Sequence, residues 1–345
     1  MSSLGNPPPE PDGSTSPPEE PTPVPPPVIA LLVPSPTQAL ADRPLAIERP
    51  SENRRWILLP LVLFVVTCLS TFWAGTTSWQ PIVYLPTDPL RIRAVILAHW
   101  DRGLTYMACV LAILLTHEMG HFLTALLYRV PASWPYFIPF PFSPLGTMGA
   151  VIGMEGYRAN RRQIFDIGLA GPVAGLLVVM PILWIGIAQL NLQRDGFGGV
   201  AFQCPILARW MLAALHPEYA AVDRVWLSQL NPYFMAGWVG LLITGLNMLP
   251  ISQLDGGHVI YGLFGRRAHW VARAFLLVAI AFVVLADVVA VWLPMIVLVT
   301  LIGTDHPPTA DDAVPLGWIR RLIGYASLLI PLFCFPPRLA FLQNF

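Results

Sequence analysis

His117 and His121 stand four residues apart with Glu118 beside the first, an HExxH pentapeptide. On a helix, side chains at i and i+4 project from one face. Both imidazoles can therefore close on one tetrahedral Zn²⁺, with Glu118 placed to handle a proton on the metal's water. Such a pentapeptide arises by chance in soluble helices, but here it lies in the apolar run 111–127. An ionisable side chain at the centre of a membrane helix costs roughly 2.5–3.5 kcal/mol on insertion scales, so three together mark a functional site.

A catalytic zinc takes three protein ligands and keeps one position open, so a third ligand must come from elsewhere. Asp255 is the choice, because it sits in the polar turn Asn247-Met-Leu-Pro-Ile-Ser-Gln-Leu-Asp-Gly-Gly-His258. Pro250 should end a helix there, and Gly256-Gly257 should permit a sharp turn. The rivals are Asp166, Glu155, Asp287 and His258. Asp166 opens a helix near Arg161 and Arg162, where an N-terminal or ion-pair role suffices. Asn247 can donate to a developing oxyanion or anchor the broken backbone.

The elements that must position these groups are membrane helices. The chain is 55% hydrophobic and 12% charged, and arginine supplies all twenty of its basic residues. With several apolar runs of about twenty residues, it reads as an all-α polytopic membrane protein of about six transmembrane helices. The runs fall near 56–74, 104–128, 165–190, 233–249, 270–302 (which Asp287 and Pro294 divide) and 318–335. Arg54 and Arg55 favour a cytoplasmic N-terminus. Residues 1–50 hold fifteen of the 37 prolines and read as an extended, disordered cytoplasmic tail. Residues 51–103 then form the first span and a polar loop, and 104–340 the membrane-embedded core.

Residues 131–157 contain five prolines in a strongly apolar setting, which rules out a regular helix. Irregular backbone at membrane depth survives only when buried in protein or lining a wet cavity. The stretch therefore reads as a re-entrant loop or β-hairpin leaning on the metal helix. Gly168, Ala170, Gly171, Ala174 and Gly175 form a small-residue face for close helix packing. Residues 206–215 read as a short interfacial helix. Zero net charge without a basic patch argues against nucleic acid. The four scattered cysteines suggest neither a disulfide framework nor a CxxC metal site.

His117-Glu-Met-Gly-His121, Leu145-Gly-Thr-Met-Gly-Ala150, Gly171-Pro-Val-Ala-Gly175 and Asn247-x-x-Pro250-x-x-x-Leu254-Asp-Gly-Gly257, in this order, resemble the site-2 protease family of intramembrane zinc metalloproteases. The likeness is to its bacterial and plastid branch without a PDZ-like domain. The resemblance implies one Zn²⁺ held by His117, His121 and Asp255, with Glu118 as catalytic acid/base. It implies substrates that are single-pass transmembrane proteins within the lipid bilayer. It also gives the hairpin, with Gly146 and Gly149, a use as an edge that clamps an unwound substrate by strand addition. A zinc carrier or a catalytically silent membrane scaffold is the competing class. The arginine-only basic composition points to a bacterial inner membrane.

Overall fold

The computed structural model describes residues 55–84, 88–194, 196, 200–251, 253–285, 292–293, 296–297, 299–300, 303–304, 306–336 and 340–342. The proline-rich stretch 1–50, Arg54, Asp287 and Pro294 lie outside them. Among the described residues the chain is mostly helical, with two small sheets.

Helix α1 (Arg55–Thr76) packs on the first part of α2 (Pro89–Leu127). Gly75 and Gly103 set the approach: a Cβ on Gly75 would lie 2.9 Å from the Gly103 Cα. The sequence places 76–103 in a polar loop, yet α2 starts at Pro89. Asp88 accepts a bond from the Leu90 amide, and Pro89 at the first helical position lacks only an N–H that a helix start leaves unpaired anyway. At 1.5 Å per residue, 39 residues reach about 58 Å, well beyond a 30 Å hydrocarbon core. A kink at His99 (φ −137°, ψ 22°) breaks the run before the apolar part.

The chain then forms an antiparallel pair, β1 (Tyr136–Phe140) and β2 (Gly146–Val151). The register shifts between Phe137 and Pro139, where one residue of β1 faces two of β2. This bulge contains Gly149 at φ +104°, a left-handed backbone that side-chain-bearing residues resist. Three contacts fix the pair to the helices. Ser70 Oγ donates to the Gly146 carbonyl at 2.5 Å, the Tyr106 hydroxyl donates to the Leu145 carbonyl at 2.9 Å, and Phe64 meets Phe137 edge-on.

Helix α3 (Arg161–Ala188) begins at a capping box between Asn160 and Gln163 and lies along α2. A short sheet in the order β4 (Arg224–Trp226), β3 (Val200–Gln203), β5 (Ala340–Leu342) meets Trp238 of the next long helix through Phe202 and Gln203, and helix α4 (Ile206–Leu215) packs on α3. Helix α5 (Pro232–Asn247) starts at an Asn231 cap and is buried along most of its length. It ends before Pro250. Helix α6 (Asp255–Phe264) follows, then α7 (Ala268–Leu285), α8 (Trp318–Ser327) and α9 (Ile330–Cys334).

Gly256 and Gly257 lie inside α6 rather than in a turn before it. The reason for Gly256 is space: a Cβ there would fall 2.2 Å from the Met248 carbonyl oxygen. Among the described residues, four segments are long and apolar enough to cross a membrane: Ile57–Thr76, Pro89–Leu127, Arg161–Ala188 and Asp255–Leu285. Six were expected. α5 has only 16 residues, and the 318–335 run divides into helices of ten and five. Pro331 at the start of α9 is one cause of that division.

Candidate metal and catalytic site

His117 and His121 lie on the inner face of α2, buried to 3% and 6% exposure. Asp255 approaches them from the first turn of α6. His117 Nε2 is 3.2 Å from Asp255 Oδ2, His121 Nε2 is 3.3 Å from Asp255 Oδ1, and the two Nε2 atoms are 3.2 Å apart. Ligands held at about 2.0–2.1 Å around a tetrahedral zinc stand about 3.3 Å from one another. With the Asp255 carboxylate as one corner, meeting each imidazole through a different oxygen, the triangle is close to the size of one face of such a site. Among the described residues, this is the one group of three His, Cys, Asp or Glu side chains that could hold a metal ion.

The donor chemistry fits as well. His121 Nδ1 is 2.8 Å from the Ile167 carbonyl oxygen, which can only accept, so Nδ1 carries the proton. Nε2 then presents its lone pair to the triangle. A backbone carbonyl behind a ligating imidazole is the usual way its tautomer and orientation are set. Two histidine lone pairs and a carboxylate converging without a cation would repel, and a divalent metal removes that repulsion.

Helix α3 makes the site possible from behind. A Cβ on Gly175 would lie 3.1 Å from His117 Nδ1, and one on Gly171 only 2.0 Å from His121 Nε2. Pro172 leaves the Gly168 carbonyl without its helical donor at this point of close contact. The small-residue face read as general packing is therefore the wall against which both imidazoles rest. Sequence reasoning missed that assignment, and the Ile167 carbonyl with it.

A cavity of about 520 Å³ opens in front of the triangle. Glu118, 3% exposed, lines it together with the three candidate ligands. Asn247, at the end of α5, directs its Nδ2 toward His117 Nε2 at 3.3 Å and also lines the cavity. Ala150 and Val151 of β2, and the 152–154 segment after them, form one side. Gly146 and Gly149 do not line it: Gly146 packs on Thr71, and nothing lies within 4 Å of where a Gly149 Cβ would be.

The rival acids among the described residues, Asp166 and Glu155, are occupied elsewhere. Asp166 accepts two bonds from Arg320, at 2.7 and 3.0 Å, and one from the Tyr128 hydroxyl at 2.5 Å. Glu155 pairs with Arg158 at 2.6 Å. His258 lines the cavity, but its Nδ1 lies 2.7 Å from His306 Nε2, a partner the sequence did not single out. The motif spacing offered no signal for His306, which is 48 residues farther along the chain.

Comparison with known proteins points to zinc as well. The chain is 30% identical over 307 residues to "Probable zinc metalloprotease EGY1, chloroplastic" of Arabidopsis thaliana, which covers 84% of this chain and 55% of that protein. It is 31% identical over 237 residues to the protein of the same name from Oryza sativa subsp. japonica, covering 64% of this chain and 40% of the relative. With "Probable zinc metalloprotease EGY2, chloroplastic" of Arabidopsis thaliana it shares 27% over 252 residues, covering 69% and 42%. The chain thus spans about half the length of the relatives it matches. Their names place them in chloroplasts and lend no support to the bacterial inner membrane expected above. Residues 105–286 match the family described as "Peptidase family M50". That segment contains the HExxH motif, the α3 wall and the Asp255 turn, and the chain belongs to this family, the site-2 proteases.

Proposed function

We propose that the protein is an intramembrane zinc endopeptidase that hydrolyses peptide bonds in or near transmembrane segments of single-pass membrane proteins, in regulated intramembrane proteolysis. The observation that carries this reading is the 3.2–3.3 Å triangle of His117, His121 and Asp255 opening on a cavity that Glu118 shares. The catalytic role falls to residues 104–340, with Ile57–Thr76 as the first span and the first part of α2, from Pro89, leading into the core.

One Zn²⁺ per chain, held by those three side chains, would supply a Lewis acid that polarises the peptide carbonyl and acidifies the attacking water. Glu118 takes the proton from that water as its oxygen bonds to the carbonyl carbon. It returns the proton to the nitrogen as the C–N bond breaks, so the products are an amine and a carboxylic acid, which then ionises. The Asn247 amide donates toward the oxygen on which negative charge develops. His121 is held in its ligating tautomer by the Ile167 carbonyl.

A transmembrane helix hides its peptide bonds in i→i−4 hydrogen bonds and must unwind before cleavage. Val151 and the 152–154 segment border the cavity as extended chain, an edge that an unwound segment can join by backbone hydrogen bonds. Phe140, Phe142, Met148 and Val151 on the hairpin are 41–61% exposed, which favours its insertion into lipid as a re-entrant element. α5 is enclosed by α2, α3 and α9 and so completes a crossing without the length that a lipid-facing helix needs.

The test is bound zinc and cleavage of a transmembrane substrate for wild type, Glu118→Gln and Asp255→Ala. Glu118→Gln should keep its zinc and lose cleavage, and Asp255→Ala should bind zinc weakly. Cleavage persisting in Glu118→Gln would sink the mechanism. Zinc bound by a wild type that cuts no membrane substrate would favour a carrier or a scaffold instead.

A further inference from the structure

Residues 306–315 run past the cavity as a strap with neither helix nor strand, and none of them is buried. His306 and Pro307 line the metal-site cavity, whereas His306 and Pro308 line a second cavity of about 330 Å³. His306 is therefore the wall between the two.

Its contacts form a latch. His306 Nδ1 lies 2.6 Å from the Pro307 carbonyl oxygen and so carries the proton, which leaves Nε2 to accept from His258 Nδ1 at 2.7 Å. The His306 ring stacks on Tyr261, 4.2 Å between centroids. The Tyr261 hydroxyl donates to Asp312 Oδ1 at 2.7 Å, and Arg266 stands 3.6 Å from Asp312 Oδ2. Two backbone bonds add to these, Ala310 N to Ala159 O at 2.9 Å and Arg161 N to Asp311 O at 3.1 Å. These are polar, part-buried contacts on a strap none of whose residues is buried, and such a segment opens at less cost than a packed core. The first firm anchor is Leu316, 1% exposed. Gly303 (φ +88°) and Gly317 (φ +80°) flank the strap, and nothing lies within 4 Å of where their Cβ atoms would be. Gly303, at the end of the strap away from the Leu316 anchor, has the backbone freedom and the space of a hinge.

We propose that residues 306–315 are a lid that swings on Gly303 ahead of the fixed Leu316, with His306 latched to His258 closing the cavity in front of the metal ligands. The proposal rests on the protease reading: a hydrolase inside the bilayer must admit water and substrate, and then shut the site around them.

The test reads access rather than turnover, so its failure is distinguishable from failure of the protease reading. Ile152→Cys puts a thiol on the cavity wall of the full-length, zinc-loaded protein in detergent. Its labelling rate by a water-soluble maleimide is measured, with the protein lacking this cysteine as background. Asp312 touches neither the candidate ligands nor their cavity, so Asp312→Ala loosens the strap without removing a group that lines the site. Labelling should rise at least fivefold in Asp312→Ala, and in the same direction in Tyr261→Phe, which removes one hydroxyl. Amide exchange at Ala310 should speed up in parallel. Where Asp312→Ala does not fold, Tyr261→Phe decides. Unchanged labelling with unchanged exchange overturns the lid.

Discussion

Gly171 lies so close to His121 that a Cβ added to the glycine would fall 2.0 Å from the imidazole Nε2. No side chain fits there unless the ring leaves the position from which it faces Asp255 and His117. Gly171→Ala should therefore lower zinc affinity by 10–100-fold, the range for losing an orienting contact behind a metal ligand. Metal analysis after dialysis against a weak chelator checks this. Gly149→Ala is the contrast, since only its φ of +104° objects and no atom lies nearby. It should cost about 1–2 kcal/mol in backbone strain and leave zinc in place.

This relationship also shows where sequence reading stops. The spacing of His117 and His121 on one helix face is local, and so is the end of α5 before Pro250; both can be read from neighbouring residues. Gly171 acquires its meaning only when α3 lies along α2, and a sequence displays a small-residue face without saying what it faces. The early start of α2 was obscured for another reason. Arg91, Arg93, Asp101 and Arg102 make 89–103 look like a loop, whereas a helix projecting beyond the hydrocarbon core carries such residues at no cost. His306 could not have been found by spacing at all, because its pairing with His258 is a product of tertiary contact.

Asp166 was a rival for the third ligand, and its partners argue for another role. It ties α8 to the junction of α2 and α3 through Arg320 and Tyr128. Asp166→Ala should keep full zinc stoichiometry. Since Arg320 is more than a third exposed, the loss of stability should be modest, about 1 kcal/mol. A thermal unfolding midpoint a few degrees lower with unchanged metal content is the expected pair of results.

Asn247 offers its Nδ2 within 3.3 Å of His117 Nε2. As an oxyanion donor it acts in the transition state, whereas as a scaffold for the Asp255 turn it would act on metal binding. Asn247→Ala should reduce kcat about 100-fold with zinc retained and KM little changed. Loss of zinc in this variant would assign the side chain to the turn instead.

Ile152 follows the last paired residue of β2 and lines the cavity, so its backbone N–H is available to a strand laid beside it. Ile152→Pro removes that donor without altering a metal ligand. Losing one backbone hydrogen bond of about 1 kcal/mol to the substrate should raise KM severalfold, with kcat and zinc content nearly unchanged. Steady-state kinetics on a transmembrane substrate in detergent give both parameters. An unchanged KM would remove the strand-addition account of substrate binding while leaving the metal site and the role of Glu118 as they stand.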